Sequence, residues 1–165
     1  MHTLKRISPS GVPAALQKAE RYRLLNDSSA AESICRDILD VDPENQQALI
    51  VLLLSITDQF GEELGDAVRR ARDVLPRLRD EYKRHYYAGI ICERRAKAQR
   101  RQSVPGSGSM AYESLHEAMQ WYEKAEAIRP AGNDESILRW NTCARAIMQH
   151  NLRQRPIEEY IPVLE

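Results

Sequence analysis

The sequence predicts an all-α fold, a right-handed α-solenoid of about three antiparallel helix pairs plus a C-terminal capping helix. Three observations predict it. The pattern Ala31-x3-Cys35-x2-Ile38-x4-Pro43 recurs 87 residues later as Ala118-x3-Tyr122-x2-Ala125-x4-Pro130. In each copy a small residue lets two helices cross closely, larger residues one and two turns on fill the space beyond, and a proline stops the helix. A looser copy at Ala67, Ala71 and Val74 lies 36 residues after the first, close to the period of helix-pair repeats. Only seven of the 165 residues are glycine, and long stretches are rich in Ala, Leu, Glu and Arg, the residues that lose least on entering a helix. A chain of this length suffices for one core, and units of this kind stack on copies of themselves and present a surface.

Residues 1–11 read as a flexible N-terminal arm, with Ser8-Pro9-Ser10-Gly11 as a turn-rich entry. A first helix over 12–25 offers Leu16, Ala19, Tyr22 and Leu24 to the interior. Asn26-Asp27-Ser28-Ser29 is a turn, and Ser29-x-x-Glu32 has capping-box spacing, so a second helix runs over 29–40 and stops before Asp42-Pro43. These two helices form an antiparallel hairpin. The stretch 44–56 is apolar enough to be covered on most of its circumference, which places a third helix mid-stack. Gly61 ends it, and a fourth helix follows over 62–78, where Pro76 falls early and the pattern weakens. A long fifth helix over 80–102 carries Tyr82, Tyr86 and Ile90, with Gly89 a candidate for a tight crossing.

Residues 103–109, rich in glycine and serine, read as an internal flexible loop. A sixth helix over 110–128 bears the second full copy of the pattern. A seventh, over 134–152, carries Trp140, Cys143, Ala144 and Ile147 on one face and caps the stack. The repeat domain thus spans 12–152. In the tail, 153–165, Ile157, Tyr160, Ile161, Val163 and Leu164 are apolar. That segment either folds back on the last helices or docks into a groove, its own or a neighbour's.

Lys plus Arg equals Asp plus Glu at 24 each, which argues against a strong global field for DNA, RNA or anionic lipid. The most apolar run, 48–56, has nine residues and is too short to span a bilayer. The N-terminus has no apolar signal core, so the expectation is a cytoplasmic protein with no membrane partner. Cys35, Cys92 and Cys143 lie far apart with no zinc spacing and read as small apolar core residues in a reducing compartment. His85 and His116 sit on helices expected to pair, but two histidines without a carboxylate or cysteine at ligand spacing do not make a metal site. No phosphate-binding glycine loop, nucleophile elbow or His-Glu-x-x-His motif is present. The expectation is therefore a non-enzyme without cofactor or metal.

The densest charge feature is the run Arg94, Arg95, Lys97, Arg100 and Arg101. It reads as a solvated helix end whose cations favour the negative pole of the helix dipole, or as a docking patch for an acidic partner or RNA. No interleaved aromatics or reader motif accompany it, which counts against the nucleic-acid reading. Nearby, Tyr82 and Tyr86 share a helix face and Tyr87 turns away by about 100°.

These features resemble the tetratricopeptide repeat, a helix-turn-helix unit of about 34 residues. Ala19, Tyr22, Ala31 and Pro43 match its small, aromatic and proline sites in a first repeat, and Asp42-Pro43-x-Asn45-x-x-Ala48 resembles its junction. Gly89, Ala118, Tyr122, Ala125 and Pro130 match a third repeat, the second agrees loosely, and Trp140-x-x-Cys143-Ala144-x-x-Ile147 is similar to the start of a fourth. The resemblance implies protein-protein binding by an adaptor or co-chaperone-like scaffold, with a peptide or helix of a partner held on the concave face. That face would comprise Leu16, Glu20, Arg23, Gln47, Ile50, Leu54, Lys83, Tyr86, Ile90, Arg94, Asn141 and Arg145. The members that grip a chaperone's terminal carboxylate use a lysine and an asparagine where this chain has Leu16 and Glu20, which argues against that role. The alternative expectation is a homo-oligomer joined through the tail or the basic helix end.

Overall fold

The computed structural model describes residues 1–157. Among them run seven α-helices: α1 (Val12–Leu24), α2 (Ser28–Val41), α3 (Gln46–Asp58), α4 (Leu64–Val74), α5 (Glu81–Gln102), α6 (Ser107–Ala127) and α7 (Glu135–Gln149). The described chain is all-helical, as the composition predicts. Each helix packs on the next in sequence, and α1 also touches α3, as α3 touches α5.

The helix ends follow local chemistry. Pro13 sits in the first turn of α1, where a missing N–H goes unnoticed. Asp27, not Ser29, caps α2, its carboxylate accepting from the Ala30 N–H at 3.2 Å. Glu32 is drawn away from the expected capping box by Arg36, Gln59 and Arg70. Asn45 and Asp80 cap α3 and α5 in the same way, accepting from Ala48 and Lys83. Pro76 cannot donate to the helix ladder, so α4 ends at Val74 and one turn of 3-10 helix, Leu75–Arg77, replaces the expected continuation. Between α5 and α6 only 103–106 lie outside helix; Gly106 supplies φ +83° and Ser107 already opens α6, three residues before the expected start. The arm is tied down as well: Arg6 pairs with Asp40 at 3.1 Å and Ile7 packs against the core.

The repeated small-residue pattern does what its spacing predicts. Ala31, Cys35 and Ile38 are fully buried, as are Ala118, Tyr122 and Ala125, while Ala67, Ala71 and Val74 form the equivalent row on α4. Gly89 is the tight crossing: a Cβ there would lie 2.7 Å from Tyr122 Cδ1, well inside contact distance. Helix α3 buries Ala48, Leu49, Val51, Leu52, Leu53 and Ile56, and each large aliphatic among them contributes about 1.5–3 kcal/mol. Its two buried hydroxyls are satisfied internally, Ser55 donating to the Val51 carbonyl at 2.7 Å and Thr57 to that of Leu54 at 2.8 Å. Leu24 is a correction, since it projects into solvent at 80% exposure.

Two apolar clusters result. One fills α1–α4 with aliphatic side chains; the other, around Ile90, Cys92, Leu115, Tyr122 and Cys143, joins α5, α6 and α7. Leu54 and Tyr87 border both. Of the tail residues expected to pack or dock, Ile157 is exposed, and Tyr160, Ile161, Val163 and Leu164 lie outside the described residues.

Candidate functional site

The expected binding residues differ in their surroundings. Leu16, Glu20 and Gln47 come together around a shallow groove of ≈ 330 Å³ between α1 and α3. Ile50 and Leu54 are half-buried against the core. Arg23 and Arg94 converge on Asp58, the last residue of α3: Arg23 Nε lies 2.7 Å from Oδ2 and Arg94 Nη1 2.5 Å from Oδ1. Arg94 also donates to the Thr57 hydroxyl at 2.7 Å, and Ser28 donates to Asp58 at 2.9 Å. Asp58 thereby clamps α1, α2 and α5 to the end of α3. Burial lowers the Arg94 pKa, and the Asp58 carboxylate works in the opposite direction. Arg94 is thus engaged within the fold.

Ile90 is a second correction. It is only 2% exposed, inside the α5–α7 core, because the side chains of α6 cover that face of α5. Tyr86 is half-buried in an aromatic group, stacked on Tyr82 with centroids 5.9 Å apart and edge-on to Tyr87 at 5.1 Å. Burial pushes the Tyr87 hydroxyl up to about 12. Lys83 and Arg145 are exposed and Asn141 is half-buried.

A cleft of ≈ 390 Å³ lies between α5, α6 and α7. Its floor is Ala96 of α5, Leu115 of α6, and Cys143 and Ala146 of α7; its walls carry Arg94, Lys97, Arg100 and Arg139, with Glu93 as the single carboxylate. Glu93 is already occupied: the buried Tyr122 hydroxyl donates to it at 2.6 Å and Arg139 at 3.4 Å. Burial drives the Tyr122 pKa well up, reinforced by the Glu93 charge. For Arg139, burial is outweighed by Glu93 and Tyr86, and its pKa rises.

The basic run therefore divides. Arg94 is held by Asp58, and Arg95 bridges Ser114 at 3.0 Å and Glu117 at 2.5 Å. Ser114 in turn donates to the buried Gln99 at 2.8 Å. Lys97, Arg100 and Arg101 form no ion pair among the described residues. Lys97 and Arg100 face the α5–α7 cleft, whereas Arg101 and Lys97 border a smaller hollow beside Phe60. On α7 the cleft uses Arg139, Thr142 and Ala146 instead of Asn141 and Arg145. Cys143 carries the signal for that placement, because these three residues surround it on the helix surface once it is taken as the inward point.

His85 and His116 are not brought together: His85 stacks on Trp121 and His116 on Tyr112. No group of three His, Cys, Asp or Glu among the described residues is placed to hold a metal ion. The three cysteines are buried free thiols; burial raises Cys35 to about 12 and Cys92 to about 11, and raises Cys143 further. Thiols so far from the thiolate form are poor nucleophiles. No described helix is long and apolar enough to cross a membrane. No family model, curated protein or solved structure matches this chain.

Proposed function

We propose that this protein is a non-catalytic protein-binding scaffold, a right-handed α-solenoid of the tetratricopeptide type, whose α5–α7 cleft holds a peptide or helical segment of a partner. Three antiparallel pairs, α1/α2, α3/α4 and α5/α6, followed by α7 as a cap, account for the contacts between consecutive helices and for those of α3 with α1 and α5. The observation that carries the binding role is the composition of the cleft: an apolar floor of Ala96, Leu115, Cys143 and Ala146 beneath Lys97 and Arg100, which form no ion pair among the described residues. Such a site selects a short segment with apolar side chains flanked by carboxylates. Glu93, the one acidic wall residue, is engaged by Tyr122 and Arg139, so it offers little opposition to an acidic ligand.

Panning a random peptide library on the full chain tests this. Enrichment of peptides combining Asp or Glu with Leu, Ile or aromatic residues is expected, with loss of their binding to Lys97→Glu/Arg100→Glu. Enrichment of basic peptides, no enrichment, or equal binding by the charge-reversed variant contradicts the proposal.

A further inference from the structure

We infer that the outer face of α7 is a self-association surface, on which a second copy of this chain lays its own α7 antiparallel across a two-fold axis. Helices α3 and α5 each pack on the helix before them and the helix after them. No helix follows α7 among the described residues, and it packs chiefly on α6. The consequence shows in its exposure. Cys143 is fully buried, whereas Leu138 and Met148 are 63% and 69% exposed.

The occupant follows from the spacing on that face. Leu138, Asn141, Arg145 and Met148 are separated by three, four and three residues, the interval of a helix–helix seam. At about 100° per residue all four fall within about 40° of the direction opposite Cys143. None of them lines the α5–α7 cleft. The row is also symmetric about Cys143, so an antiparallel copy sets Leu138 against the second copy's Met148 and Asn141 against its Arg145. Two apolar layers then flank two in which the Arg145 guanidinium donates to the Asn141 side-chain carbonyl. A row that matches its own reverse is what a two-fold interface requires.

Charge complementarity points the same way. Helix α7 opens on the exposed Glu135 and leads out to the exposed Arg153, and neither forms an ion pair among the described residues. The antiparallel arrangement brings the acidic start of one copy to the basic exit of the other, whereas a parallel one would set like charges together. Area sets the strength. The fifteen residues of α7 span about 22 Å, so the pair buries less than about 1,200 Å², the range of weak, transient complexes. A dissociation constant on the order of tens of micromolar is expected.

Sedimentation equilibrium of the full chain, from low micromolar to submillimolar concentration, tests this. A monomer–dimer equilibrium with no larger species is the expected result. Leu138→Glu/Met148→Glu should weaken it at least tenfold with the helical circular dichroism unchanged, because both side chains are exposed in the single chain. Glu135→Arg and Arg153→Glu should each weaken it at least threefold, and combining them should restore it, a rescue that a misfolded variant would not show. A chain that stays monomeric throughout overturns the inference, as does a dimer indifferent to Leu138→Glu/Met148→Glu. Failure of the combined charge exchange to restore association overturns the antiparallel arrangement.

Discussion

Helices α1–α4 and α5–α7 close their interiors by different means. In the first group the core is aliphatic and continuous, centred on Leu49, Leu53, Ile38 and Ile56, and its charged groups form clamps at the rim, Asp58 on one side and Glu32 on the other. In the second group small residues and one fully buried tyrosine replace the branched aliphatics, and polar side chains enter the interior, with Tyr122 on Glu93 and Ser114 on Gln99 and Arg95. The difference has a consequence for function. Apolar burial tolerates no loose cations, whereas the polar network of α5–α7 orders part of the basic run and leaves Lys97 and Arg100 at the cleft. On the proposed function, recognition falls to the second region.

The largest effect should come from opening the aliphatic core. Leu53→Ala removes a side chain with no solvent exposure and should cost about 2–5 kcal/mol in a denaturant melt, with peptide affinity unchanged at temperatures where the variant is folded. Gly89→Ala attacks the other region through overpacking, since the added methyl collides with Tyr122; a loss of about 1–3 kcal/mol is expected. Adding Tyr122→Leu should recover part of it, and strict additivity of the two losses would mean that the ring and the glycine are not in contact.

The two regions also place carboxylates differently, and pH separates them. Around Glu32, burial favours the neutral acid, but hydrogen bonds from Arg36, Gln59 and Arg70 outweigh it, and the pKa falls below its ordinary 4.5. A depressed folded-state pKa gives stability that is fully present above the unfolded value and is lost as pH falls from there through the folded value. Glu32→Gln should therefore lower stability by about 1 kcal/mol at neutral pH and flatten the acid limb below pH 4.5. A variant whose acid limb keeps the parent slope would place the titrating group elsewhere, with Glu117 of α6, lowered by Arg95 and Arg72 against its burial, the next candidate. The smallest effect on folding belongs to the cleft itself: Lys97→Glu/Arg100→Glu should change stability by no more than about 0.5 kcal/mol.

Most of the fold was legible because its signals are local. The Ala-x3-large-x2-apolar rows, the prolines after α2 and within 75–77, and the apolar run of α3 each act through a few neighbouring residues. The errors arose where distant partners decide. Ser29 and Asp27 are both competent caps, and the choice followed once Arg70, 38 residues beyond Glu32 in the chain, claimed that carboxylate. On α7 the expected Trp140, Cys143 and Ile147 do pack into the second cluster, whereas the cleft is lined by Arg139, Thr142 and Ala146, a choice between the flanks of Cys143 that the packing of α5 and α6 makes. Arg94 and Lys97 are indistinguishable as sequence; Asp58, which separates them, lies on another helix.

The most direct measurement is the amide chemical-shift map of the full chain titrated with the most enriched library peptide. Shifts concentrated on residues 93–100 of α5 and 139–146 of α7, absent in Lys97→Glu/Arg100→Glu, are the expected result. Shifts centred instead on Leu16, Glu20 and Gln47, or a map unchanged by the charge reversal, would contradict the assignment of recognition to the α5–α7 cleft.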